Sequence, residues 1–148
     1  MLTNARVGKV TDNHFDSDLR ITIQRLARRL RAERADESIS DGQFSVLFSL
    51  ANNGPLGLNE LSQRERVTPP SMNRTVGALV DSGYTTRVTS PEDGRKVVID
   101  LTAEGVRVIE DTRQRRDAWF SRRLAELSDE QRALLRSAAP ILMELADS

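Results

Sequence analysis

Apolar residues recur at helical spacing near the beginning of the chain. Leu19, Ile23, Leu26 and Leu30 follow one another at intervals of four, three and four residues, which places them on one face of a helix that begins at Asp16. Arginines fill many of the other positions, so the outer face of this helix is basic. We interpret that face as a solvated surface, with phosphate contact or a charged dimer interface as the alternatives.

Capping residues mark the beginnings of three further helices. Ser40 and Gln43 form a capping box, in which each side chain can bond the backbone N–H of the other residue. Asn59 is predicted to cap a short third helix, and Thr68 a fourth helix whose first residue is Pro69, where a missing N–H costs nothing. The third and fourth helices and the turn between them form a predicted helix-turn-helix.

Two stretches rich in Thr, Val and Ile follow the fourth helix and predict a hairpin of two strands, Tyr84 to Thr89 and Lys96 to Leu101. The tip of this hairpin carries the basic sequence Asp93-Gly94-Arg95-Lys96. A hairpin directly after a helix-turn-helix is a wing, and the pair presents a helix end and a basic loop on one face, as proteins that read duplex DNA do. The predicted fold class is therefore mainly α with a small β-hairpin wing (α+β).

Two more capped helices complete the chain. Thr102 caps a long helix with a polar middle, which we interpret as a spacer between two bodies. Ser128 opens a last helix in which Pro140 predicts a kink. The apolar faces of the first and last helices need cover, and a second copy of the chain in a two-fold dimer is the simplest source. Packing of the two helices on each other in a monomer is the alternative.

These elements predict three regions. Residues 1–15 are expected to form a flexible N-terminal arm, residues 16–38 and 103–148 a helical dimerisation region, and residues 39–102 a winged helix-turn-helix DNA-binding domain. The residues predicted to lie in the dimer contact are Leu19, Ile23, Leu134, Ile141 and Leu142.

Composition argues against several classes of protein. The chain has no cysteine and a single histidine, His14, so we expect no disulfide framework, no thiol redox sensor and no His-rich metal site. No paired nucleophile and base and no phosphate-binding loop are visible, so neither catalysis nor a cofactor is predicted. No apolar run is long enough to cross a membrane, and the first 13 residues do not resemble a signal peptide. We therefore expect a soluble cytoplasmic protein.

Charge is segregated along the chain, although the formal net charge is +0. Residues 61–96 carry six basic and four acidic side chains, a net charge of +2, whereas residues 124–148 carry two basic and five acidic ones, a net charge of −3. A local cluster of positive charge can attract nucleic acid even where the total charge does not.

The fourth helix has an apolar side and a polar side. At 100° per residue, Met72, Val76 and Leu79 fall within about one quarter of the circumference and are expected to face the core. Asn73 and Arg74 point the other way, where Asn can pair with adenine and Arg with guanine in the major groove. These two residues are the predicted base readers.

Four neighbours complete the predicted DNA contacts on this helix. Thr68 and Ser71 lie at its N-terminus, where hydroxyls and backbone N–H groups suit a phosphate. Pro70 could touch a thymine methyl group, and Gly77 has no side chain, which would let DNA approach the backbone closely. An ordinary exposed helix position is the alternative for each of these residues.

The wing tip is predicted to add Arg95 and Lys96 to the DNA contacts. An arginine on a narrow hairpin can enter the minor groove, where the potential is most negative. Asp93 has a structural role in this prediction, because an Asp two residues before an Arg in a tight turn can bond the local backbone or hold the guanidinium. A plain turn residue is the alternative for Asp93.

Motifs along residues 15–145 resemble the MarR family of bacterial transcriptional regulators. The most specific are the wing sequence Pro91-Glu92-Asp93-Gly94-Arg95-Lys96 and the following Leu101-Thr102-Ala103-Glu104-Gly105. The remaining matches are Ser40-Asp41-Gly42-Gln43-Phe44, Gly54-Pro55-Leu56, Asn59-Glu60-Leu61-Ser62, Val67-Thr68 and Ser71-Met72-Asn73-Arg74. The resemblance implies an obligate homodimer, a palindromic double-stranded operator, location at the bacterial nucleoid, and repression relieved by a small ligand.

The chain departs from the family pattern at three points. Arg66 stands where the family usually has Gly, so a left-handed backbone there would be strained by about 1 kcal/mol. A different turn is the alternative. Pro69-Pro70 replaces the usual polar pair, and the cysteine of peroxide-sensing relatives is absent. That sensing chemistry is therefore excluded.

The resemblance also implies a pocket for a small aromatic or amphipathic ligand where the dimer helices meet the winged domain. The residues that this pocket could include are Phe15, Arg20, Phe48, Arg116 and Trp119. Packing without any ligand is the alternative. Two other functions stay open beside the regulator: a winged-helix module that binds protein, and a weakly specific architectural DNA binder.

Overall fold

The computed structural model describes residues 14–148, which form six helices and one three-stranded antiparallel sheet. The elements are α1 (Phe15–Ala32), α2 (Asp41–Asn53), β1 (Leu56–Gly57), α3 (Leu58–Glu65), α4 (Pro69–Asp81), β2 (Thr85–Thr89), β3 (Val97–Leu101), α5 (Ala103–Ala125) and α6 (Asp129–Asp147). The predicted N-terminal arm lies outside the described residues, apart from His14 and Phe15. The α+β winged-helix prediction is confirmed.

Two compact units make up the chain, and the first ends at Ala32. Its described part is α1, an 18-residue helix with Asp16 and Asp18 in the first turn and Arg29 and Arg31 in the last. Acidic residues at the N-terminus and basic residues at the C-terminus complement the helix dipole, so the charge order of this helix favours its formation.

The second unit, Glu33–Ser148, contains the hydrophobic core. Side chains of α2, α3 and α4 fill its centre, and Leu47, Leu61 and Val76 have no exposed surface. Met72 and Leu79 are also buried, as the helical spacing predicts. Because the apolar side of α4 is used up in this core, its other side is directed outward.

The capping predictions hold for four helices and fail for one. Ser40 and Gln43 form the predicted box, with N–H to side-chain oxygen distances of 3.1 and 3.0 Å, and Ser128 opens the same kind of box at α6. The prediction that Asn59 caps the third helix is wrong, because α3 has its N-cap at Gly57. Gly57 pairs with Val98 in the sheet, so extended backbone continues to that residue and the helix begins directly after it.

The sheet has the order β1-β3-β2. Strands β2 and β3 form the predicted hairpin, each one residue shorter at its beginning than the composition suggests, with Arg87 opposite Ile99 in the register. β1 was not predicted, because two residues, Leu56–Gly57, are too few to show an alternating pattern. This short strand ties the beginning of α3 to the wing.

Tight packing at Gly105 fixes α5 to the base of the wing. A Cβ atom added at Gly105 would lie 2.1 Å from the carbonyl oxygen of Tyr84, so only glycine fits there. Thr102, the N-cap of α5, donates its hydroxyl to the Gly83 carbonyl at 2.6 Å and its N–H to the Tyr84 carbonyl at 3.1 Å. The end of α4, the beginning of β2 and the beginning of α5 are thus joined.

The polar middle of α5 is more than a spacer. Thr112 is fully buried, and its hydroxyl oxygen accepts the N–H of Ala35 at 3.1 Å. The Arg116 side chain donates to the Glu33 carbonyl at 3.1 Å. Polar residues are needed in the middle of α5 because they bind the backbone of the segment before α2. The polarity pattern of the sequence does not reveal this contact.

The segment before α2 is also bonded to the base of the wing. The Tyr84 hydroxyl donates to the Asp36 carboxylate at 2.6 Å, and the Ser38 hydroxyl and N–H donate to the other carboxylate oxygen. The hydrogen bonds from Ser38 and Tyr84 lower the pKa of Asp36, and the same carboxylate raises the pKa of Tyr84 to about 12. Both shifts favour the charged Asp36 with the neutral Tyr84.

Within residues 14–148, every helix is too short or too polar to cross a membrane.

Candidate nucleic-acid interface

The exposed side of α4 carries the predicted base readers. Asn73 and Arg74 are exposed, and they lie between the buried Met72 and Val76 in the sequence of the helix. Gly77 lies on the same helix, and a Cβ atom added there would meet nothing within 4 Å. The core therefore does not require glycine at this position.

The N-terminus of α4 offers few backbone donors. Pro69 and Pro70 have no N–H, the Ser71 N–H donates to the Thr68 hydroxyl at 3.3 Å, and the Met72 N–H donates to the Thr68 carbonyl at 2.9 Å. Fewer backbone N–H groups are therefore left for a phosphate than at an ordinary helix N-terminus, and the phosphate contact at this end stays a prediction. The hydroxyl groups of Thr68 and Ser71 are what this end can offer to a phosphate.

The turn between α3 and α4 contains a left-handed arginine. Arg66 has φ 55° and ψ 43°, and among residues 14–148 it is the single non-glycine residue with positive φ. Its N–H bonds the Gln63 carbonyl at 3.3 Å, and the N–H of Val67 bonds the Ser62 carbonyl at 3.0 Å. This is a Schellman motif, which places Arg66 where glycine is usually found. Of the two possibilities for this position, a left-handed arginine or a different turn, the left-handed arginine is present.

The end of α3 is held from the core side as well. The Glu65 carboxylate accepts the hydroxyl of Ser45 at 2.6 Å and that of Ser49 at 2.9 Å, and both serines belong to α2. Neutral donors therefore bind this carboxylate, and no arginine of the turn is needed to satisfy it. This contact between helices was not predicted, because nothing in the local pattern connects positions 20 residues apart.

Backbone hydrogen bonds shape the wing tip. The Asp93 carboxylate accepts the N–H of Arg95 at 3.0 Å, and the Asp93 carbonyl accepts the N–H of Lys96 at 3.0 Å. The Ser90 N–H closes the loop on the Lys96 carbonyl at 2.7 Å. Asp93 thus bonds the local backbone, one of the two roles considered for it, while the side chains of Arg95 and Lys96 are exposed.

The basic side chains of this region have no partners among residues 14–148. In the described part of the chain, no hydrogen bond or ion pair involves the side chain of any basic residue between positions 61 and 96, namely Arg64, Arg66, Arg74, Arg87, Arg95 and Lys96. Elsewhere, Arg34, Arg107 and Arg123 pair with carboxylates at 2.6, 2.8 and 3.1 Å. Unpaired cations are available to release counterions from DNA phosphates, whereas paired ones are partly neutralised. We call the six residues the free cations.

Part of the predicted ligand pocket comes together in the second unit. The Arg116 guanidinium lies 5.3 Å from the ring centroid of Phe48 and 5.7 Å from that of Phe44. Arg113 lies 5.3 Å from Phe48, and Arg34 lies 5.8 Å from Phe44. Phe44, Arg113 and Arg34 were not predicted, although the spacing of Phe44 and Phe48 places both rings on one face of α2.

Trp119, another predicted pocket residue, has contacts within α5. Trp119 is buried, with its ring centroid 6.4 Å from that of Phe120 and the Arg123 guanidinium at 5.8 Å. Phe15 and Arg20 belong to α1, in the first unit. Their part in a pocket stays a prediction.

The predicted dimer residues of α6 are strongly exposed. Leu134 keeps 65% of its surface, Ile141 60% and Leu142 41%, and no residue of α6 is buried. In α1, Leu19 is half-buried and Ile23 is exposed. The proline of α6, Pro140, lies within an unbroken helix from Asp129 to Asp147, and its predicted kink stays a prediction.

Comparison with known proteins identifies relatives along nearly the whole chain. A model of the MarR family matches residues 39–97. A protein of Mycobacterium bovis named as an HTH-type transcriptional regulator is 38% identical over 137 residues, which are 93% of this chain and 96% of that protein. The HTH-type transcriptional repressor MdtR of Bacillus subtilis is 26% identical over 136 residues, 89% of this chain and 86% of the repressor.

Solved structures show the same architecture. A crystal structure from Mycobacterium tuberculosis superposes with a TM-score of 0.82 at 26% identity, over 93% of this chain and 96% of that one. A MarR family protein from Bacillus stearothermophilus gives a TM-score of 0.76 at 24% identity, over 92% and 95% of the two chains. The fold of residues 14–148 is therefore that of winged-helix regulators.

Proposed function

This chain belongs to the MarR family of DNA-binding transcriptional regulators and is not an enzyme, and from that premise we propose that it is a homodimeric repressor of specific operators. The winged helix-turn-helix of residues 39–102 reads the DNA in this proposal. Residues 16–38 and 103–148 join the two protomers. The observation that carries the proposal is the exposed polar side of α4, together with the free cations of the same winged helix-turn-helix.

Helix α4 enters the major groove in this proposal. Asn73 pairs with adenine and Arg74 with guanine, each worth about 1–3 kcal/mol of discrimination. Pro70 contacts a thymine methyl group, and Gly77 allows close approach of the DNA. The hydroxyls of Thr68 and Ser71 donate to phosphates. These contacts are consistent with a helix whose other side is fully buried in the core.

The wing contacts the adjacent minor groove. Arg95 enters the groove and Lys96 binds a flanking phosphate. Asp93 supports both residues, because it bonds their backbone N–H groups and so shapes the tip that carries them. An exposed, unpaired guanidinium on a tightly bonded loop needs little reorganisation to bind.

Dimerisation supplies the second reading head. Leu134, Ile141 and Leu142 on α6 are exposed large apolar residues, joined there by Leu135, Met143 and Leu145. An exposed apolar patch of this kind marks a protein contact. In this proposal the patch binds a second copy of the chain, and Leu19 and Ile23 belong to the same dimer contact. A two-fold dimer places the two heads about 34–36 Å apart, one turn of B-form DNA, so the operator is palindromic.

Repression and its release complete the proposal. The relative MdtR of Bacillus subtilis is named as a repressor, which supports repression rather than activation. The stacking of the Arg116 guanidinium on the rings of Phe44 and Phe48 supports a site for a small aromatic or amphipathic ligand, because such a ligand can join a stack of this kind. Trp119 of the same unit is a further residue of that pocket in this proposal.

Selection of DNA fragments by the purified protein tests the proposal. Enriched fragments should share a palindrome, and a gel-shift titration should give at least a thousandfold preference over random duplex at physiological salt. An architectural DNA binder would bind both duplexes alike, with a salt slope but no preference. A protein-binding module would bind neither, and a monomer in sedimentation would refute the dimer.

A further inference from the structure

We propose that Arg66 binds a DNA phosphate and supplies the positive charge that the recognition helix does not offer through its backbone. The proposal rests on the DNA-binding function and adds a residue that the sequence pattern marks only as strained.

The need for such a contact follows from the beginning of α4. Two of its first N–H groups are missing because of Pro69 and Pro70, and that of Ser71 is used by Thr68. Helix N-termini ordinarily bind phosphate through these groups. Here only the hydroxyls of Thr68 and Ser71 are left for a phosphate beside the recognition helix, and neither carries a charge. Arg66 lies two residues before the N-cap and can supply a cationic donor.

The backbone around Arg66 is fixed from both sides. Glu65 is bonded to Ser45 and Ser49 of α2, and the Val67 N–H is bonded to the Ser62 carbonyl. The guanidinium therefore projects from a position defined by the core, so that its binding to a phosphate costs only the freedom of its own side chain.

The Arg66 side chain has no other task in the described part of the chain. It is exposed and makes no hydrogen bond, ion pair or ring contact with residues 14–148. Glycine would satisfy the left-handed backbone better, so the position keeps an arginine at the expense of stability. A guanidinium in this turn is explained by a ligand outside the protein, and phosphate is the partner that its charge and planar donors fit.

Three variants in the full-length protein test the proposal. Arg66→Gly removes the charge and the strain, Arg66→Lys keeps both, and Arg115→Ala removes an exposed, unpaired arginine from α5 as the control for net charge. Affinities for the selected operator and for a random duplex are measured over a salt series, together with the melting temperature of each variant.

We expect Arg66→Gly to bind both duplexes at least tenfold more weakly at 0.1 M salt. One phosphate contact raises the binding constant about eightfold at this salt concentration, and the dimer has two such contacts. The slope of log K against log salt should become less steep by about 1.8. The melting temperature should not fall. Arg66→Lys should keep most of the affinity and slope, because an ammonium group also binds phosphate. Arg115→Ala should match the wild type.

Two results would overturn the proposal. Wild-type affinity and slope in Arg66→Gly would show that Arg66 touches no phosphate, and a loss confined to the operator would show a base contact instead. Failure of the DNA-binding function is distinguishable, because the wild type itself would then bind no duplex. A wild type that binds without preference would refute only the specific regulator, and the slope of Arg66→Gly would still decide the role of Arg66.

Discussion

Gly77 gives the sharpest test of where DNA lies against the recognition helix. It is an interior residue of α4, where glycine costs about 0.5–1 kcal/mol relative to alanine. An added Cβ atom meets nothing within 4 Å, so the protein itself has room for a methyl group. Gly77→Ala should therefore raise the melting temperature by about 1–4 °C.

The same methyl group should weaken DNA binding. If the backbone at Gly77 approaches the DNA closely, the new Cβ atom separates the helix from the bases and impairs the pairs made by Asn73 and Arg74. Each good pair is worth about 1–3 kcal/mol, so the loss of even one pair in the complex should weaken operator binding at least about fivefold. Stability and affinity then move in opposite directions in one variant.

Gly42→Ala is the matched control for this experiment. Gly42 lies near the beginning of α2, and an added Cβ atom there comes no closer than 4.0 Å to the Ser40 hydroxyl oxygen. This variant should not lose operator affinity. Thermal melts and gel-shift titrations of both variants decide the matter. Wild-type affinity in Gly77→Ala would refute the close approach, and a lower melting temperature would refute the argument from helix propensity.

Four further predictions concern the wing, the reading face and the packing beneath them. Arg95→Ala should weaken operator binding at least tenfold while sedimentation still shows a dimer, and unchanged affinity would remove the wing from the mechanism. Arg74→Ala should relax the base preference at one position of each half-site in a selection experiment, whereas equal weakening for all sequences would identify a phosphate contact. Gly105→Ala should lower the melting temperature by several degrees, because its Cβ atom would overlap the Tyr84 carbonyl, and a neutral result would show that α5 moves freely at its beginning. The lowered pKa of Asp36 means that the carboxylate contributes stability above pH 3.8 and that this contribution is lost as the pH falls below that value. In urea unfolding, the stability advantage of the wild type over Asp36→Asn should therefore shrink in acid. An advantage independent of pH would contradict this.

Local signals carried most of the fold prediction. Three helix beginnings could be predicted from the capping residues Ser40, Thr68 and Ser128, because a cap depends on residues only three positions apart. The buried side of α4 follows from helical spacing alone. The N-cap predicted at Asn59 was wrong because capping propensity is a local property. The actual helix boundary at Gly57 is set by pairing with Val98 across the sheet.

The candidate site was less accessible to sequence reasoning. Arg74 and Arg95 could be chosen by residue type and position, but the absence of protein partners for the free cations depends on where every carboxylate lies after folding. The bonds of Glu65 with two serines of α2 join distant parts of the chain and leave no periodic trace. The loss of two backbone donors at α4 could have been inferred from Pro69 and Pro70. Only the geometry shows that the next donor, the Ser71 N–H, is bonded to the Thr68 hydroxyl.

The contact of Gly105 with the Tyr84 carbonyl makes the hairpin and the long helix α5 a single mechanical part. Such a junction cannot absorb motion by sliding, since no side chain separates the two backbones. The middle of the same helix holds the segment before α2 through Thr112 and Arg116. The base of the wing and that segment therefore share α5 as a common support, and we expect a displacement of this helix to displace both.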